Sequence, residues 1–171
     1  MTPKAALVAA ALLLAAPVAR AHDYQAGAIA IDHVWARATP GGAKVAAGYF
    51  TLTNTGTTPD RLIAATSAVA GRVELHDMSV VDGVMRMRPV KDGIELKPGQ
   101  TVEFESSSFH VMMLDLKQPL KQGERIKGTL TFEKAGLVDV EFAVEGIGGP
   151  PRAAPAAGPM RMQGDGPMKM H

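Results

Sequence analysis

The chain has 171 residues, with 18 Lys and Arg against 17 Asp and Glu, ten methionines and no cysteine. Without cysteine it has no thiolate nucleophile, no Zn–Cys site, no blue-copper centre and no disulfide, so its fold must rest on a hydrophobic core. A charge balance this close to neutral leaves no electrostatic footprint for nucleic acid or an anionic lipid surface, and neither is an expected partner.

Residues 1–21 read as a signal peptide. Lys4 supplies the positive n-region, Ala5 to Ala16 the apolar h-region, and Ala19-Arg20-Ala21 an A-x-A cleavage motif. The apolar run is shorter than the roughly 20 residues that span a bilayer, so no stable membrane insertion is expected. Cleavage would remove Lys4 and Arg20 and make His22 the first residue of a secreted chain. What remains is the size of one domain.

From Ile29 to Ala143 the chain reads as short strands between turn signals. The candidates are Ile29–Ala36, Ala46–Asn54, Arg61–Thr66, Val73–Val80, Val84–Val90, Thr101–Glu105, His110–Leu116, Arg125–Phe132 and Val138–Val144. They are rich in Val, Ile, Thr, Phe and Tyr, and Asn54-Thr55-Gly56, Asp82-Gly83, Asp92-Gly93, Pro98-Gly99 and Gln122-Gly123 punctuate them. A strand about every ten residues, with no helical periodicity and no internal repeat, predicts an all-β antiparallel sandwich or barrel over residues 22–147. Beyond Ile147 the composition changes. Residues 148–171 hold five prolines and no aromatic or β-branched residue, too little to offset ordering entropy, so a disordered tail is expected.

The methionines carry the chemical signal. Apart from Met1 they all lie between Met78 and Met113 or between Met160 and Met170. His76-Asp-Met78 and His110-Val-Met112 are two His-x-Met pairs, and residues i and i+2 of a strand share a face. If Asp82-Gly83 closes a two-residue hairpin, Met78 faces Met87 and His76 lies diagonally from Met87. A further strand with His110 and Met112 on the same side completes a four-ligand set, while Met113 points the other way, into the core. Methionine on a strand is ordinarily core filler. Two such pairs with a facing methionine outweigh that reading. Thioethers are soft, uncharged donors that suit Cu(I), and they need no deprotonation and cannot be lost to a disulfide.

These residues resemble the periplasmic copper-A chaperone family, PCuAC. The likeness runs from about Ile29 to Ala143 and includes Ala46-Ala-Gly-Tyr-Phe-Thr-Leu-Thr-Asn54, Val73-Glu-Leu-His76, Gly83-Val-Met-Arg-Met-Arg-Pro89, Leu96-Lys-Pro-Gly99 and His110-Val-Met112. His76, Met87, His110 and Met112 match the family's metal motif. The resemblance implies a cupredoxin-like Greek-key sandwich in the periplasm that binds Cu(I). It implies delivery to the copper-A site of cytochrome c oxidase, directly or through another periplasmic copper chaperone. The alternative is copper scavenging or tolerance with no dedicated acceptor.

Met78 is the candidate substitute ligand. His22, as a mature N-terminus, offers an α-amine and imidazole for Cu(II), and Met160, Met162, Met168, Met170 and His171 are candidate tail ligands for Cu(I) or Cu(II). His33 lies away from the motif and is read as structural, and Trp35, Tyr49 and Phe104 as core. Ser106-Ser107-Ser108 lacks a nucleophile-elbow pattern and reads as a polar loop beside the metal strand. No catalytic constellation is visible. The expected protein is a monomeric carrier and not an enzyme.

Overall fold

The computed structural model describes residues 24–149, which contain eleven strands and no helix. In chain order they are β1 (Tyr24–Ala26), β2 (Ile29–Arg37), β3 (Val45–Asn54), β4 (Asp60–Ser67), β5 (Arg72–Val81), β6 (Val84–Pro89), β7 (Ile94–Leu96), β8 (Thr101–Phe104), β9 (His110–Leu114), β10 (Arg125–Phe132) and β11 (Gly136–Glu145). Nine are the strands expected from sequence. The additional β1 and β7 have three residues each, too few for an apolar alternation to register. The expected leader, His22 and the tail from Pro150 onward, with its five candidate ligands, lie outside the described residues.

Period-two alternation decides which face each strand buries. In β10, Ile126, Leu130 and Phe132 turn inward while Arg125 and Lys127 face water. The strands pair in the order β6-β5-β9-β3-β2-β11-β10-β4-β7, with β1 on β2 and β8 on β3. All these strand pairings are antiparallel except one. Ala143–Glu145 of β11 run parallel to Trp35–Arg37 of β2, which corrects the purely antiparallel expectation. The β2–β3 register shifts between Asp32 and Trp35, where exposed His33 takes φ 54°. One edge of β2 is divided, so that Ile29–Ile31 pair β1 and Trp35–Arg37 pair β11.

Phe50, Phe104, Phe132, Phe142, Leu52 and Leu130 lie in the buried core, with the Phe50 and Phe104 rings 4.2 Å apart. Tyr49 and Phe104 are buried as expected, and Trp35 stacks half-buried on Tyr49 at 4.5 Å. Gly48 lets the Phe142 ring approach β3. A Cβ at Gly48 would stand 2.9 Å from Phe142 Cε1 and 3.2 Å from Met113 Cε. Because Gly48 pairs with Val111, this close approach also seats β9 against the core. Gly48→Ala is expected to cost about 1–3 kcal/mol, as overpacking does. Chemical denaturation should show a lower midpoint at unchanged m-value, and an unmoved midpoint would mean that Phe142 yields freely.

Strands β5 and β9 divide their residues between two faces. Leu75, Val111 and Met113 are buried in the core, and Met113 was expected there. The opposite face carries Glu74, His76, Met78, His110 and Met112.

Candidate metal centre

Asp82-Gly83 closes the β5–β6 hairpin with positive φ at both residues, 54° and 76°, the signature of a type I′ turn. That fixes the register. Met78 faces Met87, Val80 faces Met85 and His76 faces Pro89, as the two-residue turn predicts. On its other edge β5 pairs with β9, and His76 stands directly opposite His110. The two imidazole centroids are 5.8 Å apart.

Both histidines are buried, at 9% and 4% exposure, although they occupy the face turned away from the core. Strand β6 is the sheet edge, and its Met87 reaches over β5 to His110. Its Sδ lies 3.2 Å from His110 Nε2 while the residue stays 48% exposed. The hairpin therefore covers the histidines and keeps one thioether at the surface.

The hydrogen bonds assign the protons. His110 Nδ1 lies 3.2 Å from the carbonyl oxygen of Ser108. A carbonyl only accepts, so Nδ1 donates and a neutral His110 carries its lone pair on Nε2. Burial holds the His110 imidazole below the usual histidine range, against the opposing Ser108 hydrogen bond, and the neighbouring His76 adds to the lowering. Nε2 and Met87 Sδ are thus two lone-pair groups in contact with no proton between them. His76 Nε2 lies 2.9 Å from Glu74 Oε2, and His76 Nδ1 is buried with no hydrogen-bond partner. The hydrogen bond to His76, aided by Arg72, holds the Glu74 carboxyl below the usual range despite some desolvation.

The structure thus brings His76, His110 and Met87 together. Met78 flanks them opposite Met87, its backbone N–H donating to Ser108 O at 3.1 Å. Met112 lies between Glu74 of β5 and Ala47 of β3, on the same face as His110. It also lines a shallow cleft of about 300 Å³ with Arg37, Val45 and Ile147. Among the described residues no three His, Cys, Asp or Glu side chains form a metal group, so the donors on offer are imidazole and thioether. Such a set is neutral and soft, which favours a monovalent soft cation over Ca²⁺ or Mg²⁺. The Ser108 carbonyl accepts from both His110 Nδ1 and the Met78 backbone N–H, which ties β5 to the start of β9. Glu74 was not singled out from sequence as a site residue, though its i, i+2 spacing to His76 was the signal.

Known proteins share this fold. A family model described as "Putative lipoprotein LpqE-like" matches residues 29–144. The copper-bound PCuAC domain from PmoF2 is similar at 33% identity and TM-score 0.62, over 74% of this chain and 99% of that domain. Apo-DR1885 from Deinococcus radiodurans is 25% identical with TM-score 0.56, over 85% of this chain and 95% of that one. In sequence, "Putative lipoprotein Lxx21020" of Leifsonia xyli subsp. xyli is 28% identical over 125 residues, 73% of this chain and 74% of its own. A cupredoxin-like all-β fold and a family-model match over residues 29–144 lead to one conclusion: this chain belongs to the LpqE-like family, the family of the PCuAC domains.

Proposed function

We propose that the protein is an extracytoplasmic copper chaperone that binds one Cu(I) through His76, His110, Met87 and Met112 and passes it to the copper-A site of cytochrome c oxidase. The observation that carries the reading is the 3.2 Å contact between His110 Nε2 and Met87 Sδ. Two acceptors this close repel unless a cation lies between their lone pairs. A metal holding an imidazole nitrogen at about 2.0 Å and a sulfur at about 2.3 Å separates them by about 3.5 Å at the tetrahedral angle. The residues fit the ion. His76 Nδ1 adds a second unsatisfied nitrogen, and Met112 supplies a further thioether on the same face.

Carriage rather than permanent storage is favoured by the 48% exposure of Met87, which leaves one ligand open to an incoming acceptor. The copper-bound and CuI forms of the PmoF2 and DR1885 domains support the choice of metal. In this reading His22 and the tail residues Met160, Met162, Met168, Met170 and His171 are accessory donors.

Anaerobic Cu(I) titration of the full-length protein against a chromophoric competitor, followed by mixing with an apo acceptor bearing a binuclear copper site, tests the proposal. One high-affinity equivalent that moves to the acceptor is expected. Copper that stays with this protein in the presence of excess acceptor would replace delivery with sequestration.

A further inference from the structure

We propose that Glu74 is a positioning residue for copper: its carboxylate holds the Nε2–H of His76, so that His76 ligates through Nδ1 while His110 ligates through Nε2. The inference rests on the Cu(I) site proposed above and adds a residue that touches no metal.

Three observations lead to it. First, the 2.9 Å contact joins Glu74 Oε2 to His76 Nε2, and an ionised carboxylate can only accept, so the proton sits on Nε2. Nδ1 is then an unprotonated lone pair, buried and without a partner. An unsatisfied buried polar atom is costly and uncommon enough to require a reason. A ligated metal supplies one. Carboxylate, imidazole and metal in series are the usual way an outer group fixes the tautomer and basicity of a histidine ligand.

Second, the strand order sets the two histidines at different distances from the contact with Met87. Strand β5 lies between β6 and β9. Met87 comes from β6 and His110 from β9, and they meet at 3.2 Å, so their meeting point lies over β5. His110 must reach across one strand spacing of about 4.8 Å, which calls for its distal nitrogen, Nε2. His76 stands on β5 itself, beneath the meeting point. There the near nitrogen, Nδ1, is the one left without a partner, because the far one is turned to Glu74.

Third, Glu74 is itself held. Its Oε1 lies 3.6 Å from Arg72 Nη1, and Arg72 Nε lies 3.6 Å from Asp115 Oδ2. Arg72, Glu74 and His76 follow one another at i, i+2 and i+4 along one face of β5. The Arg72 contact engages the second carboxylate oxygen and keeps Glu74 in its outer role. A hard oxygen donor is in any case a poor match for Cu(I).

The test uses the full-length protein labelled with nitrogen-15 on its imidazoles, with Cu(I) as a diamagnetic probe. Before copper, His76 should show Nε2 protonated and Nδ1 bare. On loading, the Nδ1 resonance of His76 and the Nε2 resonance of His110 should move, while His76 keeps its Nε2 proton. Glu74→Ala should weaken Cu(I) binding tenfold to a hundredfold, the range for outer-sphere partners. Glu74→Gln, which keeps an acceptor oxygen but not the charge, should recover part of that loss. With the carboxylate gone the Cu(II)/Cu(I) potential should also rise, since a nearby anion favours the higher charge. Ligation of His76 through Nε2, or a Glu74→Ala affinity within twofold of wild type, would overturn the role of Glu74 and leave the site standing. A His76 ring that ignores Cu(I) altogether would overturn both.

Discussion

The double variant Met87→Leu, Met112→Leu is expected to lose at least about a hundredfold in Cu(I) affinity while folding as the wild type does. Removing an outer-sphere support typically costs tenfold to a hundredfold, and two direct ligands should cost no less. Leucine has nearly the volume of methionine, and such swaps usually cost less than about 1.5 kcal/mol even when buried. Met87 is half exposed and Met112 half-buried, so the penalty here should sit at the low end. Competition titration gives the affinity and thermal unfolding the stability. Unchanged affinity in the double variant would remove both thioethers from the site, and a fall confined to Met112→Leu would leave Met78 in the place assigned to Met87.

Acid should release the metal through the imidazoles and not the thioethers. A proton on either ring competes with the ion, and two model imidazoles of pKa near 6.5 would together lower affinity about six-hundredfold between pH 7 and 5. His110, held below the usual range by burial, takes up its proton later. The expected fall between pH 7 and 5 is therefore smaller than that figure. The same lowering has a consequence for the apo fold. His110 binds its proton more readily when unfolded, so folding stability is fully present above about pH 6.5 and declines as pH falls toward the folded-state pKa. Titrations at several pH values measure the first effect, and denaturation of the apo protein measures the second. Affinity that stays flat from pH 7 to 5 would exclude both histidines as ligands.

Much of the arrangement was legible before any coordinates. Asp82-Gly83 is a strong hairpin signal, and it gave the Met78–Met87 register because a two-residue turn leaves one pairing open. The nine longer strands declared themselves through their Val, Ile, Thr, Phe and Tyr content and the turn signals between them. β9 was read to Leu116 but ends at Leu114, because Asp115 takes φ 53° and Leu116 turns its N–H to the Lys44 carbonyl. The parallel β2–β11 pairing left no local mark, since alternation records faces and not strand direction. The opposition of His76 and His110 depends on the register of two strands far apart in sequence, which no turn residue sets. Glu74 escaped notice for a chemical reason. A carboxylate beside soft donors does not look like part of a Cu(I) site until the orphaned Nδ1 of His76 shows what the Glu74 hydrogen bond leaves free.

The central claim is a mixed imidazole–thioether shell around one Cu(I), and X-ray absorption at the copper edge of the Cu(I)-loaded full-length protein addresses it most directly. Two nitrogen scatterers near 2.0 Å and two sulfur scatterers near 2.3 Å are expected at one equivalent, by analogy with first-row metal–imidazole and metal–sulfur distances. The sulfur contribution should disappear in Met87→Leu, Met112→Leu. A first shell of nitrogen and oxygen alone, or a sulfur signal that survives in that variant, would contradict the account.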